Sequence, residues 1–524
     1  MHVTYENNMF IWQGPFSLRY VPSDAGFEWN NKINAWCTEC FETALKLSKL
    51  FNEIATRIYA LRGESLDNSY AMTSGLIVPV PPEQKLYDYQ RAGIEFALCR
   101  KDCIIADEMG LGKTAQAIGV INCTPEIKSI LVVCPASLKI NWQREMAQWL
   151  VDESKIGTPV DSKKKFGDLD SIIINYDILS KYKKELSREW DLVIFDEAQY
   201  CKSGKAKRTK AALSIPYKKR LFLTGTPILN RPIELFPILH AINPERWPNR
   251  MAYALRYCGA RKRYFGKRIV WDVSGASNLP ELRMSLRSSV MVRRKKIEVM
   301  KELPEKIRQV IELPSKEEDK LTSFIKSLKY ENADSELKTT SQILFENISK
   351  VRHETTLDYL PQIISFLRDA LESSEKIACF AHHRDVLEAL REEFSDSVML
   401  IGGMNPFQKQ TAVDTFQTDK KCRLFVGSIK AAGVGYNLTA ANHGIIVEGD
   451  WTPGVLSQVE DRLHRIGQTK PVLIQHLVPE GSIGAHMIRT AISKQKNIDA
   501  ALDDNFEWTA EISAIINKPK ENER

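Results

Sequence analysis

The sequence predicts an α/β protein of two lobes, each a parallel sheet flanked by helices. A helical, basic insert separates the lobes, and a small aromatic-rich α+β module precedes them. Three observations carry this expectation. Strand-length apolar runs alternate with longer helical patterns over two stretches of the chain, which is how a sheet covered on both faces reads. A phosphate-loop pattern follows the first of these strands. Basic residues concentrate between the two stretches. At ~100–200 residues per domain, 524 residues leave room for about three domains.

The first 36 residues hold eight aromatics: Tyr5, Phe10, Trp12, Phe16, Tyr20, Phe27, Trp29 and Trp36. A domain this small needs them mainly as core, with one or two left for stacking on unpaired bases. A helix is expected over about 38–62. The stretch LIVPVPPE, 76–83, reads as a linker because Pro79, Pro81 and Pro82 oppose helix and sheet alike. The expected divisions are an accessory module 1–78, a first lobe 79–305 containing the insert 231–300, a second lobe 306–490, and a C-terminal helix and tail 491–524.

In the first lobe the predicted strands are CIIA (103–106), SILVVC (129–134), SIII (171–174), DLVIF (191–195) and RLFLT (220–224). The rhythm stops near 230, and 231–300 reads as helical without comparable strand runs. It resumes with KIACF (376–380), SVMLI (397–401), CRLFV (422–426), GIIVE (444–448) and VLIQHLV (472–478).

Composition excludes several classes. With 43% hydrophobic and 27% charged residues the chain is not disordered as a whole. No apolar run approaches the ~18 residues of a membrane span, and MHVTYENNMF lacks the pattern of a secretory signal. The ten cysteines are scattered, and the single CxxC, Cys37 to Cys40, has no second pair, so neither zinc nor disulfides are expected. From Lys202 to Lys301 there are 24 basic and 5 acidic residues, which leaves the rest of the chain net acidic. Such a block points to a polyanionic partner; a solvated helical face is the bland alternative.

DEMGLGKT, 107–114, lies between the strand CIIA and the helical pattern TAQAIGVI. Gly110 and Gly112 let the backbone approach phosphates, Lys113 reaches the β- and γ-phosphates, and Thr114 can ligate Mg²⁺. The strict pattern asks for glycine where Asp107 stands. A second strand, DLVIF, ends in Asp196 and Glu197. Strand ends of this kind are where ligands bind, so Asp196 would hold Mg²⁺ and Glu197 would activate water. An N-cap pair is the alternative.

With these motifs the chain resembles the superfamily-two helicase-type ATPases, and within them the Swi/Snf-type translocases of double-stranded DNA. LYDYQRAGIEF, VVCPASLKINWQREMAQW (132–149), DEAQ, LFLTGTPILNRPIELF (221–236), SIKAAGVGYNLTAAN (428–442) and QVEDRLHRIGQT (458–469) carry the likeness. FAHHRDVLEAL, WDVSGASNL and MVRRKK…ELPEK resemble the HepA-related annealing helicases, which rewind DNA and remodel forks. The resemblance implies RecA-like lobes and ATP with Mg²⁺. It assigns nucleotide contacts to Gln90, to Asp107, Glu108, Met109, Gly110, Leu111, Gly112, Lys113 and Thr114, and to Gly435 and Gln458. Arg462 and Arg465 become arginine fingers, and Gln199, Thr224 and Thr226 couple the site to movement.

Ser137, Trp142, His382, His383, Lys430 and Trp451 resemble positions near the DNA track; Lys205, Lys207, Arg208 and Lys210 are added as DNA candidates by the charge of the basic block. Trp142 reads equally as core, and the two histidines as a plain strand end. The activity implied is ATP-driven movement on duplex or branched DNA, without sequence preference and without a membrane. The alternatives are a strand-separating DNA or RNA helicase and a non-catalytic scaffold. The setting implied is intracellular and soluble, prokaryotic or phage rather than nuclear.

Overall fold

The computed structural model describes residues 2–6, 9–13, 22, 27–30, 35–38, 67–162, 169–228, 231–265, 268–300, 302–314, 350, 353–432, 435–449 and 453–480. The helix expected over 38–62, the tail 491–524 and Trp451 lie outside the described residues.

The N-terminal segment forms an antiparallel sheet of β1 (His2–Glu6), β2 (Met9–Gln13), β3 (Glu28–Asn30) and β4 (Ala35–Thr38), in the order β1-β2-β4-β3. Phe10, Trp12 and Phe27 are buried in it, as a small domain requires. Trp29 stays exposed and meets Trp36 edge-on at 5.5 Å.

The first lobe is a seven-stranded parallel sheet. Its strands are β5 (Asp102–Ile105), β6 (Ile130–Cys134), β7 (Thr158–Pro159), β8 (Ser171–Asn175), β9 (Trp190–Asp196), β10 (Tyr217–Leu223) and, after the insert, β13 (Met291–Val292). The order is β13-β5-β10-β9-β6-β8-β7. Alternate residues serve opposite faces: Val133, Ile172 and Phe222 enter one core, Val132, Ile173 and Leu221 the other. Burial on both faces is why these strands read as unbroken apolar runs. Leu223 pairs with Ile105 and with Asp196, so the loops after β5, β10 and β9 leave the same sheet edge side by side.

Two expectations fail in this lobe. The stretch read as a linker packs on the lobe, with Leu76, Val78 and Val80 against its core, and just before it the Ala71 carbonyl accepts from Arg294. The prolines exclude regular structure there, not burial. The insert, read as helical, has helices at Arg250–Tyr257 and Leu279–Arg287 but also a two-stranded hairpin, β11 (Arg261–Phe265) with β12 (Arg268–Asp272).

The second lobe is a six-stranded parallel sheet of β14 (Lys306–Leu313), β15 (Ile377–Ala381), β16 (Val398–Leu400), β17 (Leu424–Ser428), β18 (His443–Ile446) and β19 (Val472–Pro479). The order is β14-β19-β18-β15-β17-β16. Among the described residues no helix is long and apolar enough to cross a membrane.

Candidate functional site

The loop after β5 turns into the helix Lys113–Asn122 through two left-handed glycines, Gly110 at φ 82° and Gly112 at φ 72°. Side chains rarely adopt this conformation. Space forbids them as well. A Cβ on Gly112 would lie 2.3 Å from Gln90 Nε2, and one on Gly110 would lie 2.6 Å from Arg465 Cβ. The loop is thus closely approached by one residue from each lobe.

Gln90, buried, donates to the Leu111 carbonyl at 3.2 Å and accepts from the Tyr87 amide at 2.9 Å. Tyr89 donates to the same carbonyl, and its ring stacks on the exposed Tyr87 at 5.7 Å. A cleft of about 640 Å³ opens along Lys85, Leu86 and Tyr87.

Lys113 turns back on its own loop and donates to the Asp107 and Glu108 carbonyls at 2.8 and 3.1 Å. Burial pulls its ammonium down to about 8, against the pull of Glu197, Asp107 and Asp196. Met109 and Leu111 are buried, while Thr114, in the first turn of the helix, is half-buried. Asp107 itself is buried. It accepts from Gln116 at 2.9 Å and pairs with Arg294 at 3.2 Å, so its side chain anchors the loop. Glu108 likewise accepts from the Lys296 amide at 2.7 Å.

Asp196 and Glu197 end β9, with Glu197 in a left-handed conformation at φ 51°. Burial and then the Glu197 charge push Asp196 up to about 7. Such a carboxylate pair suits a cation. Trp142 Nε1 donates to Asp196 Oδ2 at 2.7 Å. A hydrogen-bonded run continues from Glu197. Gln199 donates to Glu197 Oε2 at 2.5 Å, Thr224 donates to Gln199 Oε1 at 2.8 Å, and the Thr226 amide donates to Thr224 Oγ1 at 3.1 Å. Gln458, from the second lobe, donates to Thr226 Oγ1 at 3.0 Å.

Arg462 is buried, and its Nε donates to the Gln458 carbonyl at 3.2 Å. Burial and Arg465 pull it down to about 10, opposed by Glu197, Asp461 and Asp196. Arg465 is also lowered by burial, with Glu145 and Asp461 opposing. Between the lobes Lys296 donates to Asp461 Oδ1 at 2.9 Å and to the His464 carbonyl at 2.5 Å, while Lys306 reaches the same Asp461 oxygen at 3.0 Å. Gly435, expected at the nucleotide, abuts Leu138: a Cβ there would meet Leu138 Cδ2 at 1.7 Å.

A model of the SNF2-related domain matches residues 22–368, and one of the helicase conserved C-terminal domain matches 356–467. The chain belongs to the SNF2-related family. The human DNA annealing helicase and endonuclease ZRANB3 is 36% identical to it over 427 residues, covering 77% of this chain and 39% of the relative. The bovine SWI/SNF-related matrix-associated actin-dependent regulator of chromatin subfamily A-like protein 1 is 33% identical over 457 residues, covering 84% of this chain and 47% of the relative. The chain thus spans less than half the length of either. The Sulfolobus solfataricus SWI2/SNF2 ATPase core in complex with dsDNA is 22% identical and covers 83% of this chain and 100% of that chain, with a TM-score of 0.41. The two relatives are mammalian, which lends the expected prokaryotic or phage setting no support.

In this SNF2-related chain the residues expected at DNA divide. Trp142 is corrected: it is buried, and its indole serves Asp196. The His382 and His383 amides donate to the buried Glu448 at 2.8 Å each, and His383 Nδ1 meets its other oxygen at 2.7 Å. The histidines hold a strand end together. Arg208 packs on Tyr200, donating to its carbonyl at 3.2 Å. Lys205, Lys207, Lys210 and Lys430 are exposed, and Ser137 is half-buried in the turn Ala136–Leu138.

The charge block is only partly a surface: Arg220, Arg287, Arg293, Arg294 and Lys296 are buried within it. Sequence reasoning missed Arg294 and Lys296 as tethers of the phosphate loop. The signal was the apolar pair Met291–Val292 just before them, which ends a strand two residues ahead of Arg294 and four ahead of Lys296.

Proposed function

We propose that the chain is a DNA-dependent ATPase that moves on duplex DNA and rewinds or remodels branched structures. The observation that carries the reading is the approach of Arg465, from the second lobe, to Gly110 of the phosphate loop in the first. Two arginines facing a phosphate cradle across a cleft neutralise charge that develops only when the lobes meet, worth roughly 10³–10⁵ in rate in comparable systems.

ATP is the substrate. Its base fits the cleft beside the stacked Tyr87 and Tyr89, and its phosphates the amides and lysine of the loop. Lys113 exchanges two backbone carbonyls for phosphate oxygens, a stronger charge-assisted bond for an ammonium already stripped of water. Thr114 and Asp196 would hold Mg²⁺, which supplies charge neutralisation at the phosphates. Glu197, fixed by Gln199, is set to orient and deprotonate the attacking water. The name of one relative, a DNA annealing helicase, supports the rewinding part of this reading.

The experiment is ATP hydrolysis with blunt duplex, forked DNA, single-stranded DNA or RNA as stimulant. Duplex and fork should stimulate most. Lys113→Ala should abolish turnover, and Glu197→Gln should retain ATP binding with very slow turnover. Stimulation by RNA equal to that by duplex DNA would overturn the reading.

A further inference from the structure

The β11–β12 hairpin belongs to neither large sheet. Its register pairs Lys262 with Trp271 and Tyr264 with Ile269, and on alternate positions Arg261 with Asp272 and Arg263 with Val270. Alternation gives it two unlike faces. One carries Tyr264, Ile269 and Trp271, which are 69%, 52% and 37% exposed. On that face Lys262 Nζ lies 5.6 Å from the Trp271 ring centre. The other carries Arg261 and Arg263, both exposed, with Arg263 2.6 Å from Asp272. Of the ten strand residues four are basic and one is acidic.

A two-stranded ribbon is marginally stable alone, and an exposed apolar face on such a ribbon calls for an occupant. The occupant must be anionic to suit the charge and must offer flat rings to suit the aromatics. A protein helix or a lipid surface meets one demand each. An unpaired nucleic-acid strand meets both, because every base has a π-face and every link a phosphate. A closed duplex does not, since its base faces are stacked internally.

We propose that this hairpin binds the unpaired strand of branched DNA, bases stacking on Tyr264 and Trp271, with Arg261 and Arg263 meeting the phosphates of the adjoining duplex. The proposal rests on the reading of the chain as acting on branched DNA. It adds a second nucleic-acid site, separate from the basic segment around Lys207.

The test uses the full chain and measures binding of (dT)20, a fork and a blunt duplex by fluorescence anisotropy without ATP. Tyr264→Ala with Trp271→Ala should weaken binding of (dT)20 and fork by roughly tenfold or more and leave blunt duplex unchanged. Tyr264→Phe with Trp271→Phe keeps both rings and should bind as the parent does. Arg261→Gln with Arg263→Gln should lower the salt slope for the fork by up to about 1.8. Duplex-stimulated ATP hydrolysis should persist in all three, which reports that they fold. Unchanged (dT)20 and fork affinity in the alanine pair overturns the hairpin site, as does an equal loss on blunt duplex. A parent protein that no DNA stimulates overturns the translocase reading instead, and the binding comparison still decides the hairpin.

Discussion

Gln458 donates to the Thr226 hydroxyl at 3.0 Å, so the second lobe touches a hydrogen-bonded run whose far end is Glu197. A change in how the lobes meet therefore reaches Glu197, the carboxylate proposed to activate water, through Thr226, Thr224 and Gln199, with the Thr226 amide as one link. One neutral hydrogen bond contributes about 0.5–1.5 kcal/mol. Gln458→Ala should accordingly cut DNA-stimulated turnover by roughly two- to tenfold and spare nucleotide affinity. Thr226→Val should do the same, and the double variant should be no worse than either. Additive losses in steady-state kinetics would show that the two residues act separately.

Trp142 offers a sharper test of its corrected role. Trp142→Phe keeps the buried ring and removes only the N–H that Asp196 accepts. Loss of a bond to a charged group is worth about 1.5–3 kcal/mol, so turnover should fall at least tenfold while DNA affinity holds. A variant with normal turnover and weak DNA binding would return Trp142 to the DNA track.

The Asp107–Arg294 pair is buried on both sides. Arg294→Met leaves the Asp107 charge with Gln116 alone and should destabilise the first lobe by about 3–5 kcal/mol. Thermal unfolding should show a fall far larger than that of Lys113→Ala. Equal melting of the two variants would mean the pair is not an anchor.

The motor lobes are legible in sequence where burial is complete. The runs at 130–134 and 192–195 have no polar residue to disguise them, because both faces of the sheet are covered. β14 is illegible for the opposite reason: it is an edge strand whose exposed positions carry Arg308, Gln309 and Glu312. β11 is hidden by its own charge, since RKRYF reads as part of a basic block. The phosphate loop is visible because its glycines and lysine are contiguous. The Trp142–Asp196 bond spans 54 residues and exists only because β6 lies beside β9.

The exposed lysines at 205, 207 and 210 are one part of the charge block available to a polyanion, as the hairpin's Arg261 and Arg263 are another. Reversing all three to Glu should flatten the plot of log affinity against log salt by about 0.9 for each phosphate no longer neutralised. Arg208 is left out because it is engaged with Tyr200. An unchanged slope would place the DNA track elsewhere.

The N-terminal sheet has its own test, and the packing of Ala71, Leu76 and Val78 on the first lobe sets where to cut. Removing residues 1–66 should spare duplex-stimulated ATP hydrolysis and lower the preference for forks to what the β11–β12 hairpin supplies. Turnover on forks and on blunt duplex, full-length beside truncated, makes the comparison. An undiminished preference would assign branch recognition to the rest of the chain, the hairpin included.

Lys296 and Lys306 share one oxygen of Asp461; Lys296 lies within the segment that joins the two sheets and Lys306 at its end, where β14 begins. Pulling one lysine away would strand a buried carboxylate or a buried ammonium, which costs several kcal/mol. The easier movement keeps all three together and turns the lobes about them. Asp461 is thereby placed as a pivot: of the motions open to the two lobes, rotation about this carboxylate is the one that leaves no buried charge stranded.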